Sequence, residues 1–280
     1  MMIRKLQSED RFAAMRLWQE IFCDSPSFAA FYFGHRYDPD LSFGAFEAGR
    51  LVSMALGRPF LLQNPSLRAI MISGVCTMPL FRRCGLMHEN MNRLLQNASE
   101  KGFDLAILSP VHPDLYRPFG FKPLSYAVTV RESACETIDL RKLLPISNLK
   151  VPIAVYQQYC KTHALTPVRT LRDFRISLHE YETENGFGLQ VFDGSGYVFF
   201  LRNPEGIEVA ECFAGSSEQY KLLLRGAAAF SPTGTCVANL PIDSGLGGEM
   251  IRPIYGRSLR DNLSLEPFAR SRSTYFFQLY

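Results

Sequence analysis

Long apolar runs, clustered cysteines and a strong net charge are all missing from this sequence of 280 residues. No stretch approaches the roughly 20 apolar residues that a membrane-spanning helix needs. The first residues also lack the continuous apolar core of a signal peptide. We therefore expect a cytoplasmic protein without a membrane partner. The net charge of +3 is too small to indicate a nucleic-acid-binding surface, because such surfaces are dense in basic residues.

The seven cysteines are scattered along the chain and form no Cys-x-x-Cys pair. An odd, unclustered set is typical of reduced thiols and not of disulfides or of a zinc site, so we expect no metal cofactor. Apolar residues make up 47% of the chain and charged residues 20%, which argues against a disordered protein. The length suffices for one large domain or for two ordinary ones.

The most informative stretch begins with the apolar residues 71–78, which predict a buried strand that ends at Pro79. Arg82, Arg83 and Gly85 follow, and an amphipathic segment with the spacing of a helix comes next. A strand, a basic glycine turn and a helix form a phosphate-binding layout, because the first N–H groups of a helix have no partner inside it. The alternative is an exposed arginine-rich turn before an ordinary helix.

A second informative stretch follows the next predicted strand, residues 103–108. Three prolines between residues 109 and 120 prevent a long helix there, so about one helical turn would place Tyr116 just after the strand. The alternative is that the ring of Tyr116 packs in the core with its hydroxyl satisfied, which is the common environment of tyrosine.

The two stretches resemble motifs of the GNAT (GCN5-related) N-acetyltransferases. The spacing Arg82-x-x-Gly85-x-Met87 is similar to the acyl-CoA pyrophosphate loop of that family. Met87 stands where most members have a small residue, as in the Eis-like branch of the family. The run from Tyr116 to Phe121 resembles the element in which a tyrosine lies beside the thioester sulfur.

The predicted order of elements extends this resemblance to residues 1–130. The order β-α-α-β-β-β-α-β-α-β is that of the GNAT fold. Residues 150–280 look like a degenerate second copy, with a helix, a hairpin, a strand, a helix and a strand in the same order. No Arg-x-x-Gly and no basic residue stands between the strand and the last helix of this copy. We therefore expect weak phosphate binding there and a structural role.

A tandem of an active and a degenerate GNAT domain is the arrangement of the Eis-like family. The resemblance implies an α/β (α+β) fold with two mixed central sheets flanked by helices. Residues 1–145 would form the acetyltransferase domain, and residues 150–280 the degenerate domain with a C-terminal strand tail. About 40 residues follow position 240, too few for the sterol-carrier-type domain that this family usually adds. That third domain is therefore expected to be lost or reduced.

The resemblance also assigns roles to individual residues around an acetyl-CoA co-substrate. Tyr116 would donate a proton to the departing CoA sulfur, since a phenol with a pKa near 10 is protonated at pH 7. The strand would offer backbone groups to the pantetheine arm and one N–H to the developing oxyanion, through Val75, Cys76 and Thr77. The pyrophosphate would be held by Arg82, Arg83, Cys84, Gly85, Leu86 and Met87.

The general base and the acceptor are less constrained. By resemblance, the terminal carboxylate of Tyr280 is the candidate base. Asp24 matches an acidic position that lines the acceptor pocket of the family, although it would serve equally as the N-cap of the second helix. The predicted reaction is transfer of an acetyl group to a primary amine of a small molecule or peptide. The alternative is a non-catalytic CoA-binding or scaffold protein, and the aromatic tail would allow a homo-oligomer.

Overall fold

The computed structural model describes residues 1–135, 139–251 and 254–270. The helices and strands of its first half are β1 (Met2–Lys5), α1 (Arg11–Phe22), α2 (Pro26–His35), β2 (Phe43–Glu47), β3 (Arg50–Gln63), β4 (Leu67–Thr77), α3 (Leu86–Glu100), β5 (Leu105–Leu108), β6 (Lys122–Pro123) and β7 (Ala127–Ser133). Those of its second half are β8 (Leu143–Pro145), α4 (Lys150–Thr162), β9 (Thr166–Pro167), α5 (Leu171–Thr183), β10 (Phe187–Val191), β11 (Gly196–Asn203), β12 (Gly206–Ala214), α6 (Ser217–Ala228), β13 (Thr235–Pro241), β14 (Glu249–Ile251), β15 (Tyr255–Ser258) and α7 (Glu266–Arg270).

The first sheet has the strand order β1-β2-β3-β4-β5-β15-β6, and β9 pairs with the far end of β3. Strands β2, β3 and β4 form an antiparallel meander, after which α3 crosses over and β5 pairs in parallel with β4. Helices α1 and α2 bury aromatic side chains such as Trp18 and Tyr32 against one face. Helix α3 buries Met91 and Leu94 against the other face. The sheet is therefore covered on both sides.

The second sheet repeats this plan in the order β14-β7-β13-β12-β11-β10-β8. Strands β10, β11 and β12 form the meander, α6 crosses over, and β13 is parallel to β12. Strand β8 and helices α4 and α5 precede this meander, as β1, α1 and α2 precede the first. The repeat confirms the predicted fold class, two mixed sheets with flanking helices in tandem.

Each sheet also takes a strand from the other half of the chain. The sequence predicts one strand of the first domain over residues 121–130, but the structure divides this segment. Strand β6 stays in the first sheet, whereas β7 pairs with β13 in the second, because Val128 and Val130 are buried in the core of the second half. In return, β15 lies between β5 and β6. The domain boundary at residues 145–150 stays a prediction, and the two sheets do not divide there.

The sequence predicts one helix before the hairpin of the second half, over residues 166–179, whereas the structure has two, α4 and α5. Helix α5 begins only at Leu171, because residues 166–167 pair with β3 and Thr170 caps the helix together with Asp173. Within the described ranges, no helix is long and apolar enough to cross a membrane.

Candidate active site

A cleft opens where the parallel strands β4 and β5 separate. Their pairing runs from Ala69 opposite Leu105 to Met71 opposite Ile107, although β4 continues to Thr77. The gap leads into a cleft of about 800 Å³. Its walls are the end of β4, the turn before α3 and residues 108–119. The two stretches singled out in the sequence thus form opposite walls of one cleft.

The end of β4 presents backbone groups to this gap. The Met78 N–H donates to the Val52 carbonyl on β3. Since backbone groups in an antiparallel pair point alternately toward and away from the partner strand, those of Thr77 and, by the same alternation, of Val75 point toward the gap. The Cys76 backbone points toward β3, and its thiol is buried, which raises the pKa of that thiol to about 12. Of the three predicted residues, Val75 and Thr77 offer backbone groups to a ligand.

Gly74 marks a bulge at the start of this segment. The register of β3 against β4 shifts at this point, and Gly74 has a φ of 57° in the left-handed region. A Cβ on Gly74 would lie 2.6 Å from the indole ring of Trp18. Only glycine therefore suits this position, because it tolerates positive φ and leaves room for the indole. The bulge joins the cleft to the aromatic side chains of α1 and α2.

The turn between β4 and α3 leaves the start of the helix open. Arg83 and Gly85 both have positive φ, at 64° and 74°, and no side chain caps the helix at Gly85. The Glu89 N–H donates to the Gly85 carbonyl over 3.1 Å. The three N–H groups before it have no partner within the helix. Since residues 85–88 line the cleft, an anion in the cleft can accept hydrogen bonds from these N–H groups.

The other residues predicted to hold the pyrophosphate differ in the exposure of their side chains. Arg82 and Arg83 are exposed, and Arg82 Nε donates to the Thr77 carbonyl over 3.2 Å. Cys84 is exposed as well, and its thiol turns toward the Arg82 carbonyl. Leu86 is buried in the core, so only its backbone can contact a ligand. Met87 is half-buried at the edge of the cleft.

Tyr116 lies on the opposite wall, between two single turns of 3-10 helix. Its ring packs edge-on against Phe121 with 6.2 Å between the ring centroids. Its hydroxyl has no hydrogen bond to any residue that the structure describes. Burial, and then the nearby Cys76, raise the pKa of Tyr116 to about 12. The phenol is therefore a protonated donor that faces the end of β4 across the cleft.

Asp24 is not the cap of the second helix. Ser25 caps α2, because its hydroxyl accepts the Phe28 N–H. Asp24 is exposed and accepts the Trp18 indole N–H over 2.7 Å. Since the same indole contacts Gly74, the carboxylate lies on the α1–α2 side of the cleft. Tyr280, the predicted base, lies outside the described residues.

The sequence predicts that aromatic residues of α2, Tyr32 among them, either line the acceptor pocket or pack in the core, and it does not single out Trp18 or Ser73. The Tyr32 hydroxyl hydrogen-bonds to Ser73 Oγ at 2.5 Å, and Ser73 lines the cleft. Burial raises the pKa of Tyr32. The rings of Trp18 and Tyr32 stack at 4.6 Å. An aromatic residue at helical spacing gives no signal that separates this role from ordinary core packing.

The second half has a cleft of about 790 Å³ at the corresponding place, beside the start of α6. The turn there, residues 215–217, carries no basic side chain. The Ser216 hydroxyl accepts the Gln219 N–H and so caps the helix. On one side of this cleft, His163 Nε2 and Asp243 Oδ2 form a hydrogen bond of 2.6 Å. The two clefts are similar in size, and of the two only the first has an uncapped helix start beside exposed arginines.

Comparison with known proteins gives the class. Residues 2–124 match the family model of the acetyltransferase (GNAT) domain. No curated protein matches the sequence significantly. Together with the strands that separate at β4 and β5, the match identifies residues 2–124 as an acetyltransferase (GNAT) domain.

Solved structures of similar fold span both halves of the chain. The structure is similar to Eis1 from Mycobacterium abscessus, with a TM-score of 0.65 and 17% identity over 92% of this chain and 74% of that one. A GCN5-related N-acetyltransferase from Anabaena variabilis has a TM-score of 0.70 and 17% identity, over 92% of this chain and 73% of that one. A probable N-acyltransferase from Enterococcus faecalis has a TM-score of 0.71 and 15% identity, over 92% of this chain and 72% of that one. At these identities the likeness establishes the fold.

Proposed function

We propose that the protein transfers an acetyl group from acetyl-CoA to a primary amine by direct attack on the thioester. The observation that carries this proposal is the placement of two groups on one cleft. An uncapped helix start lies beside two exposed arginines, and a protonated phenol without a hydrogen-bond partner among the described residues lies across from them. The first arrangement suits a diphosphate, and the second suits a leaving thiolate.

Each wall of the cleft has a role in this reaction. Acetyl-CoA supplies a thioester, from which the amine displaces the thiolate. The N–H groups of residues 86–88 and the side chains of Arg82 and Arg83 bind the pyrophosphate. The Val75 or Thr77 N–H stabilises the charge on the carbonyl oxygen, an interaction commonly worth about 10²–10³ in rate. Tyr116 donates its proton to the sulfur.

The acceptor enters from the α1–α2 side. Asp24 is exposed there and has one carboxylate oxygen in the hydrogen bond to Trp18. We propose that it attracts the ammonium form of the amine. The ammonium ion must lose a proton before it attacks, and the terminal carboxylate of Tyr280 stays the predicted base.

The proposal is tested by CoA release, followed with a thiol reagent, when acetyl-CoA and a panel of primary amines are added. Calorimetry with CoA tests the pyrophosphate site separately. The double variant Arg82→Ala, Arg83→Ala should weaken CoA binding roughly 10- to 100-fold, since each lost charged hydrogen bond is worth about 1.5–3 kcal/mol before solvent screening. The double variant Arg131→Ala, Arg141→Ala removes the same charge from exposed positions and serves as control.

The outcomes separate the candidate functions. CoA binding, together with CoA release from acetyl-CoA in the presence of at least one amine, supports the acetyltransferase. CoA binding without CoA release in the presence of any amine favours the non-catalytic CoA-binding module. Unchanged CoA affinity in the Arg82, Arg83 variant shows that the pyrophosphate does not bind at the turn.

A further inference from the structure

The wall of the cleft that α1 forms presents apolar side chains that the reaction described above does not use. Ile21 and Phe22, the last two residues of α1, line the cleft. The helix ends there because Cys23 adopts a left-handed φ of 58°. The Phe22 ring packs on the Trp18 indole with 4.9 Å between the ring centroids, yet 41% of Phe22 is exposed. An exposed aromatic ring is thus held in place at the wall of the cleft.

The opposite wall, which carries Tyr116, presents further apolar side chains. Val111 and Leu115 line the cleft there and are 87% and 52% exposed. Single exposed apolar side chains are common on protein surfaces. Apolar side chains that converge on one concave site favour an apolar ligand, because the ligand removes their surface from water. The cleft therefore offers contacts to an apolar ligand on two walls.

The polar side chains at the α1 end of the cleft are already paired with each other. Ser73 Oγ and the Tyr32 hydroxyl form a hydrogen bond of 2.5 Å. The Trp18 indole N–H donates to the Asp24 carboxylate over 2.7 Å. An acceptor rich in hydroxyl groups would compete with these pairs, whereas an apolar body leaves them intact.

The charges around the cleft do not suit a polycation. Among the described residues that line it, none is an aspartate or a glutamate. The permanently charged side chains on its walls are those of Arg82 and Arg83. On the α1–α2 side, Asp24 supplies one carboxylate. One carboxylate suits one ammonium group, and a second ammonium group would lose water in the cleft without gaining a counter-ion.

We propose that the acceptor is a monoamine with an apolar alkyl or aryl body. This inference rests on the proposed acetyl transfer and names its substrate class. The pyrophosphate and the pantetheine arm take the turn before α3 and the gap between β4 and β5, which leaves the α1 end of the cleft for the acceptor. The ammonium approaches Asp24 and the apolar body packs on Phe22, since both residues contact the same indole of Trp18. Phe22 is then the residue that selects the apolar body.

The first test compares primary amines that have the same charge and different apolar lengths. The series is ethylamine, butylamine and hexylamine, with 2-phenylethylamine as the aryl member and CoA release as the readout. Since each fully buried methylene is worth about fourfold in affinity, we expect kcat/KM to rise at least about 20-fold from ethylamine to hexylamine. The diamine 1,6-diaminohexane has the length of hexylamine and a second ammonium group. Its kcat/KM should be at least about tenfold lower than that of hexylamine.

Variants of Phe22 test the wall itself. Phe22→Ala should reduce the gain along the series, with a loss of about fivefold or more for hexylamine and the smallest loss for ethylamine. Phe22→Leu keeps an apolar side chain and should retain most of the gain. Phe12→Ala is the matched control, because Phe12 is also an exposed phenylalanine of α1, at 69%, and is not among the residues that line the cleft. Thermal unfolding of both alanine variants checks that they fold.

The outcomes separate this inference from the proposed function. Equal kcat/KM along the series, or a preference for 1,6-diaminohexane over hexylamine, would overturn the inference and leave acetyl transfer intact. A loss in Phe22→Ala that is the same for every amine would show a structural role and overturn it too. If no amine releases CoA, acetyl transfer is refuted instead. Ligand-observed NMR of hexylamine and 1,6-diaminohexane with the CoA complex then tests the apolar wall without turnover, and equal or tighter binding of the diamine would overturn the inference.

Discussion

Replacing Tyr116 with phenylalanine tests the central step of the proposed reaction. The change removes one hydroxyl and keeps the ring, so the edge-on contact with Phe121 at 6.2 Å persists. No hydrogen bond to a described residue is lost, and the stability should change by less than about 0.5 kcal/mol. A general acid contributes about 10²–10⁴ in rate. We expect kcat to fall about 100-fold, or about 2.7 kcal/mol in the barrier, with acetyl-CoA affinity within about twofold.

The pH dependence provides a second readout of Tyr116. A general acid works in its protonated form, so a raised pKa extends its active range to higher pH. With a pKa of about 12, about 0.1% of the phenol is ionised at pH 9, against about 9% for an ordinary tyrosine. The kcat of the unaltered protein should therefore rise as the amine deprotonates and show no decline up to about pH 10.

The assay is CoA release between pH 6 and 10, with single-turnover measurements added because product release limits kcat in many enzymes. A single-turnover rate of Tyr116→Phe within about threefold of the unaltered protein would refute the assigned acid. A decline of kcat that begins near pH 9, reaches half near pH 10 and disappears in the phenylalanine variant would show that the phenol ionises at its ordinary pKa despite its burial in the cleft.

Two further predictions concern stability. Gly74→Ala should lower the free energy of unfolding, measured in urea, by about 2–3 kcal/mol, because it combines a left-handed φ with a contact of 2.6 Å to Trp18. Gly34→Ala, in open space on α2, is the control. Equal urea midpoints for the two variants would contradict this reasoning. Arg36→Met should cost about 3 kcal/mol because it leaves Glu180 buried without its main partner. The double variant Arg36→Met, Glu180→Met should be closer to the unaltered protein in thermal unfolding, and additive losses would argue against a coupled pair.

The local parts of the candidate site could be predicted from the sequence. The apolar run that ends at Pro79, the arginines and Gly85 form a strand, a turn and a helix through interactions within about thirty residues. The prolines around Tyr116 likewise limit the backbone to short turns wherever they occur. Such features depend on near neighbours, so pattern and spacing suffice to find them.

The remaining features depend on contacts between distant parts of the chain. The alternating pattern of β7 predicts a strand but not the sheet that it joins, because both sheets offer an apolar core. Asp24 and Ser25 are both good capping residues, and only the backbone conformation decides between them. The buried pair of Arg36 with Glu180 joins the two halves of the chain, so no local pattern predicts it.

The exchange of strands between the sheets has a consequence for biosynthesis. In the first sheet β6 pairs only with β15 among the described strands, and β15 also covers the outer edge of β5 beside the cleft. During translation the first 126 residues emerge while this edge of β5 is still unpaired, and an unpaired edge strand can pair with strands of other chains. The acetyltransferase half is synthesised first, yet its sheet closes only when Ser258 has left the ribosome.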